Sequence, residues 1–161
     1  MDHLYAPWRM AYIRGEKSEG MGCVFCEAPD HMDEDALIVA RGVYQYVILN
    51  RFPYNNGHLM VVPYAHVDTP EALSRETLLE GMELTNQAMA ALRTLYNPPA
   101  FNLGANIGAA AGAGIAAHYH FHIVPRWPGD ANFMTAVGET RVVPDTLENT
   151  WRELRSAWAA P

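Results

Sequence analysis

The sequence predicts an α+β fold, an antiparallel or mixed sheet with one long helix packed on it and a second helix at the C-terminal end. Short apolar, β-branched and aromatic runs separated by turn formers supply strands, and a single stretch of more than twenty residues repeats its apolar positions at helical spacing. The resulting order, ββ, β, α, ββ, α, lacks the strand-helix alternation of a doubly wound sheet. In 161 residues, half of them hydrophobic, one domain is expected.

Residues 1–35 are aromatic and turn-rich without a sustained period, and read as an irregular arm ending in a cysteine pair, Cys23 and Cys26. From Ala36 to Asn50, β-branched and aromatic residues flank Arg41-Gly42, a hairpin signature. The turn formers Pro53 to Gly57 then lead into His58-Leu-Met-Val-Val-Pro63, a third strand stopped by proline. Between Ser74 and Tyr96, Leu78, Met82, Met89, Leu92 and Tyr96 recur at helical offsets. Ser74 is the expected N-cap, Glu76 suits the helix dipole, and Asn97-Pro98-Pro99 closes the segment. Thr77 stands where a full capping box has Glu or Gln, so an earlier start at Thr69-Pro70 is a second possibility. Ala100 to Ile107 reads as a strand, Gly108 to Gly114 as a small-residue loop, His118 to Val124 as a strand ended by Pro125, and Pro144 to Trp158 as the last helix.

Eleven Lys and Arg against eighteen Asp and Glu give a formal net charge of -7, which provides no basic field for a long nucleic acid. No apolar run reaches the length of a membrane span, and Met1 to Tyr5 lacks the basic and apolar regions of a signal peptide, so a soluble cytoplasmic protein is expected. Two cysteines three apart are too few for a secreted disulfide framework and leave a metal half-site or a redox pair.

The most informative stretch is His118-Tyr119-His120-Phe121-His122-Ile123-Val124-Pro125. On a strand, spacing two places three imidazoles on one face and Tyr119, Phe121 and Ile123 on the other. A lone histidine is usually a satisfied core or surface residue, which is the reading for His3 and His31. Three in register have no packing rationale, because each buried imidazole needs its own hydrogen-bond partner. The row suits either a metal site or a nucleophilic histidine oriented by its neighbours. The preceding segment, Asn102 to Ile115, carries four Gly and five Ala and lets backbone N–H groups approach an anion, which favours phosphoryl chemistry.

His118-x-His120-x-His122-x-x resembles the signature of the histidine triad (HIT) nucleotide hydrolases and transferases. Asn50, Pro53, Gly57-His58, Val62-Pro63 and His66 fall in the order that family members show, and the resemblance runs from about Cys23 to Trp127. Leu4 to Arg9, Ala111 to Ile115 and Arg126 to Met134 are similar to the branch of bacterial diadenosine tetraphosphate phosphorylases. One departure is Gly114-Ile115, where many members carry Gln-Ser or Gln-Thr, so a side-chain donor to the leaving phosphate passes to backbone N–H groups. The resemblance implies a HIT-like fold in a single domain over 1–161, with arm 1–35, core 36–127 and extension 128–161.

It further implies nucleotidyl transfer from a dinucleoside polyphosphate to phosphate or water. His120 would be the nucleophile and His122 a donor to a phosphate oxygen. Asn50, His58, Asn106, Gly112, Gly114 and His122 would hold the nucleotide, although Asn50 is also a common turn residue. In related uridylyltransferases and bacterial triad proteins a cysteine pair is completed by a histidine after the third strand and by the first of the triad. Here Cys23, Cys26, His66 and His118 would hold a structural zinc. A homodimer is implied, and Leu79, Met82 and Met89 could serve its interface or the core. The alternatives are a phosphoramidase or mononucleotide hydrolase of the same family, a nucleotide-binding protein without turnover, and a zinc hydrolase using all three triad histidines.

Overall fold

The computed structural model describes residues 22–130 and 143–159. Five strands, β1 (Ile38–Arg41), β2 (Gln45–Leu49), β3 (Leu59–Pro63), β4 (Ala100–Gly104) and β5 (Phe121–Arg126), form one sheet in the order β1-β2-β3-β5-β4. Every pairing is antiparallel. Alternation divides the sheet into two faces. Val39, Val47, Leu49, Leu59, Val61 and Ile123 join one cluster with the helices, while Ile38, Tyr46, Ile48, Met60 and Val62 join another with Phe25 and Ala28 from the N-terminal segment. No helix of the described residues is long and apolar enough to cross a membrane.

The long helix spans Arg75–Tyr96, and Ser74 caps it, its hydroxyl accepting the Thr77 N–H at 3.1 Å. Asn97 ends it in the left-handed conformation at φ 43°. The alternative start at Thr69-Pro70 is a separate 3-10 turn, Pro70–Ala72. The inward face also differs from expectation. Thr77, Leu84, Thr85, Ala88, Ala91 and Leu92 are the buried positions, whereas Leu78 and Met82 are exposed. Small residues win because the helix lies close to the sheet: a Cβ at Gly81 would collide with the Gln45 side chain, whose amide donates to the Thr77 carbonyl at 2.6 Å. Met89 and Tyr96 pack against this core from its margin. Truncating Leu92, fully buried, to Ala would cost about 2–5 kcal/mol.

Several elements differ from the sequence reading. The arm over 22–35 is not irregular: it contains helical turns α1 (Val24–Glu27) and α2 (Asp33–Ala36) around a 3-10 turn, Ala28–Asp30, and the Tyr46 hydroxyl donates to the Phe25 carbonyl at 2.7 Å. With the long helix as α3, the last helix, α4, runs Leu147–Ala159, starting after Pro144 because the Thr146 hydroxyl accepts the Asn149 N–H. Trp151 and Arg155 donate to the carbonyls of Ile38 and Val39, closing the edge of β1. The first strand of the second pair stops at Gly104, and the histidine strand begins only at Phe121 and includes Pro125. Pro125 is tolerated because β3 pairs with β5 no further than Ile123, so the proline lies beside β4 alone. The parts of the arm and extension over 1–21 and 131–142, including Leu4 to Arg9 and Asn132 to Met134, lie outside the described residues.

Candidate active site and metal cluster

His122 pairs with Met60 on β3 and Gly104 on β4, so its side chain lies on the sheet face opposite α3. His118, at a bend, and His120 precede the strand, in a segment held where the Tyr119 N–H donates to the Val67 carbonyl at 2.6 Å. All three imidazoles are buried. The small-residue loop opens after Gly104, directly beside His122, and returns at His118, so both of its ends meet the triad.

The His118 ring donates from Nε2 to the Pro63 carbonyl at 2.9 Å, which leaves Nδ1 as a lone-pair donor. That nitrogen lies 3.3 Å from Cys23 Sγ, 3.5 Å from Cys26 Sγ and 3.2 Å from His66 Nδ1, and Cys26 Sγ is 3.2 Å from His66 Nδ1. All four donor atoms fall within 4.8 Å of one another. Metal-to-nitrogen bonds of about 2.0–2.1 Å and metal-to-sulfur bonds of about 2.3 Å at tetrahedral angles separate ligands by roughly 3.3–3.8 Å, so the cluster could hold a divalent ion. The expected set is thus assembled from α1 and its N-cap, the segment after β3, and the first triad position.

His120 donates from Nδ1 to the His118 carbonyl at 2.8 Å, which fixes its proton there and leaves Nε2 with the lone pair. Burial lowers its pKa and keeps that nitrogen unprotonated. His122 is lowered further, to about 4, by burial first and then by His120. Its Nδ1 is 2.9 Å from His58 Nε2, and its Nε2 is buried with no hydrogen-bond partner among the described residues. Phe25 stands against both His118 and His120, with ring centroids 5.4 and 4.9 Å away, and Tyr54 lies over His58 and His122 at 4.6 and 5.7 Å. No sequence pattern marks either aromatic for the site: Phe25 is merely a residue between two cysteines and Tyr54 one of a run of turn formers.

The other expected residues divide. Asn50 occupies its turn role, its side-chain oxygen accepting the Phe52 N–H at 2.9 Å while its amide nitrogen is 3.4 Å from His58 Nδ1. His58 is wholly buried. Asn106 is half-buried in the loop, where Gly108 and Gly112 take positive φ of 82° and 85° around a 3-10 turn, Ala109–Ala111; Gly114 lies just beyond. His31 is exposed, as a solitary surface histidine should be.

The HIT domain model matches residues 32–129. A Mycobacterium tuberculosis protein named AP-4-A phosphorylase is 41% identical over 166 residues, covering 99% of this chain and 85% of that one. The chain belongs to the HIT domain family. Among solved HIT structures, a Zn-bound histidine triad family protein from Mycobacterium smegmatis superposes with a TM-score of 0.68 at 29% identity, over 86% of this chain and 94% of its own. A hypothetical histidine triad nucleotide-binding protein from Sulfolobus tokodaii gives the same TM-score at 23% identity, over 84% and 91%, and so supports the HIT fold alone.

Proposed function

We propose that this HIT enzyme transfers a nucleotidyl group from a dinucleoside polyphosphate, of which diadenosine tetraphosphate is the leading candidate, through His120 to phosphate or water. The observation that carries the reading is the tautomer of His120: with Nδ1–H bound to the His118 carbonyl, the remaining nitrogen is a neutral nucleophile. Its lone pair forms the N–P bond to the α-phosphorus as the bond to the bridging oxygen breaks, and the polyphosphate leaves with the electron pair. Phosphate or water then attacks the same phosphorus and returns the imidazole. His122 Nε2, buried and unpartnered among the described residues, donates to a non-bridging oxygen as charge grows there. The loop with Asn106, Gly112 and Gly114 supplies backbone N–H groups to the phosphates, and Asn50 borders the nucleoside.

The choice of substrate is supported by the named activity of the Mycobacterium tuberculosis relative across nearly the full chain. Zinc is the proposed ion for Cys23, Cys26, His66 and His118; it would close a four-ligand structural site and leave His120 and His122 for chemistry. Leu79 and Met82, exposed on α3 at 59% and 51%, suit a homodimer interface, while Met89 goes to the core. Product analysis of diadenosine tetraphosphate turnover tests the reaction. ADP and ATP formed only with added phosphate identify a phosphorylase, AMP and ATP identify a hydrolase, and no turnover in either condition contradicts the proposal.

A further inference from the structure

His58 is wholly buried, and its hydrogen bonds to Tyr54 and His122 run in one direction. The Tyr54 backbone N–H, which can only donate, points at His58 Nδ1 at 3.0 Å, so this nitrogen carries the lone pair. A neutral His58 therefore holds its proton on Nε2, 2.9 Å from His122 Nδ1, and donates it there. Receiving that bond obliges His122 Nδ1 to be the acceptor and places the His122 proton on Nε2, the buried atom without a partner among the described residues. The ring of Tyr54 lies across both imidazoles and fixes their planes.

From this chain of donors we infer that His58 is a positioning residue, which locks His122 in the Nε2–H tautomer and so aims one N–H into the reaction site. Its starting point is the backbone of the Pro53 to Gly57 turn, which explains why a turn without reactive side chains matters to the chemistry. The opposite tautomer would present a lone pair to the phosphate oxygen and repel it. The inference deepens the proposed function and rests on His122 being the phosphate donor.

Selective 15N labelling of histidine in the full-length protein reads the tautomer directly. His122 should show a protonated Nε2 and an unprotonated Nδ1 in the wild-type protein, and a mixture in His58→Leu; a protonated Nδ1 in the wild type overturns the inference. In turnover of diadenosine tetraphosphate, His58→Leu should lose about 10- to 100-fold in kcat, the loss typical of removing a partner that orients an active imidazole, with KM nearly unchanged. His58→Gln keeps one acceptor and one donor in the same region and should restore most of that loss. Added to His122→Ala, His58→Leu should cost nothing further, because it acts only through His122. Equal losses for Leu and Gln, a rise in KM at constant kcat, or multiplying effects in the double variant would each contradict the positioning role. A His122→Ala enzyme at the wild-type rate would instead remove the donor reading and the positioning role with it, whereas a swapped tautomer beside a slow His122→Ala overturns only the role of His58.

Discussion

His118 and His122 stand at the two ends of one repeat, four residues apart, and their surroundings give them opposite occupations. At the His118 end both ring nitrogens are engaged, one by the Pro63 carbonyl and one by the cluster with Cys23, Cys26 and His66. At the His122 end one nitrogen is engaged by His58 and the other is buried without a partner among the described residues. His120 lies between, with its Nδ1 on the His118 carbonyl. Identical spacing therefore says that three imidazoles are gathered, while the group on the far side of each ring says what it can do. A nitrogen with a permanent partner serves architecture, and one without serves a ligand.

The sharpest way to break this division is at the middle position. His120→Asn should abolish turnover while nucleotide binding persists, since the attacking nitrogen is lost and the loop remains; near-wild-type turnover in a steady-state assay would rule out covalent catalysis. At the ligand end, His122→Ala should raise the barrier by about 2.7–4 kcal/mol, the loss typical of one transition-state donor, with kcat as the readout. At the architectural end, the expectation is one zinc per chain by elemental analysis, lost in Cys23→Ser, Cys26→Ser and His66→Ala. Zinc at a hundredfold excess over its Kd stabilises the fold by about 2.7 kcal/mol, so the melting temperature of these variants should fall by roughly 5–11 °C. A metal-free protein from zinc-supplied cells, or an unaltered melting point in the double cysteine variant, would leave the pair as packing.

Much of this was legible in the sequence because it depends on spacing. The Cys23 and Cys26 pair and the Ser74 cap each report on local geometry and appear where the residues predict, whereas of the three triad histidines only His122 stands on the strand. What was not legible depends on contacts between segments distant in sequence. Leu78 and Met82 fit the helical period yet face outward, because closeness between α3 and β2 selects Ala88, Ala91 and Gly81 for the interface. The burial of His58 and the placement of Phe25 between two triad rings follow from how α1 and the Pro53 to Gly57 turn fold against the sheet, which no periodicity encodes. The sequence offers Asn50 both as a nucleotide contact and as a turn residue, and the hydrogen bond from Phe52 gives its turn role direct support.

A smaller effect separates the ends by pH. His122 titrates near 4 in the folded protein against about 6.5 in an unfolded chain, so the native state binds fewer protons and stability is fully present above about pH 6.5. It declines as pH falls through that value toward 4, by up to about 1.4 kcal/mol per unit from this group. Asp130, held near 2 by Arg126, titrates below this window and does not obscure it. Urea midpoints at pH 7 and pH 5 should therefore differ more for the wild-type protein than for His122→Phe; equal differences would show that His122 is not buried in its neutral form.

The division of the triad is tested most directly by isolating the covalent intermediate. Enzyme mixed with diadenosine tetraphosphate in the absence of phosphate, denatured within the first turnover at alkaline pH and mapped by mass spectrometry, should carry an adenylyl group on His120 and on neither His118 nor His122. An adduct on another residue, or turnover with no adduct at any time point, would contradict the account.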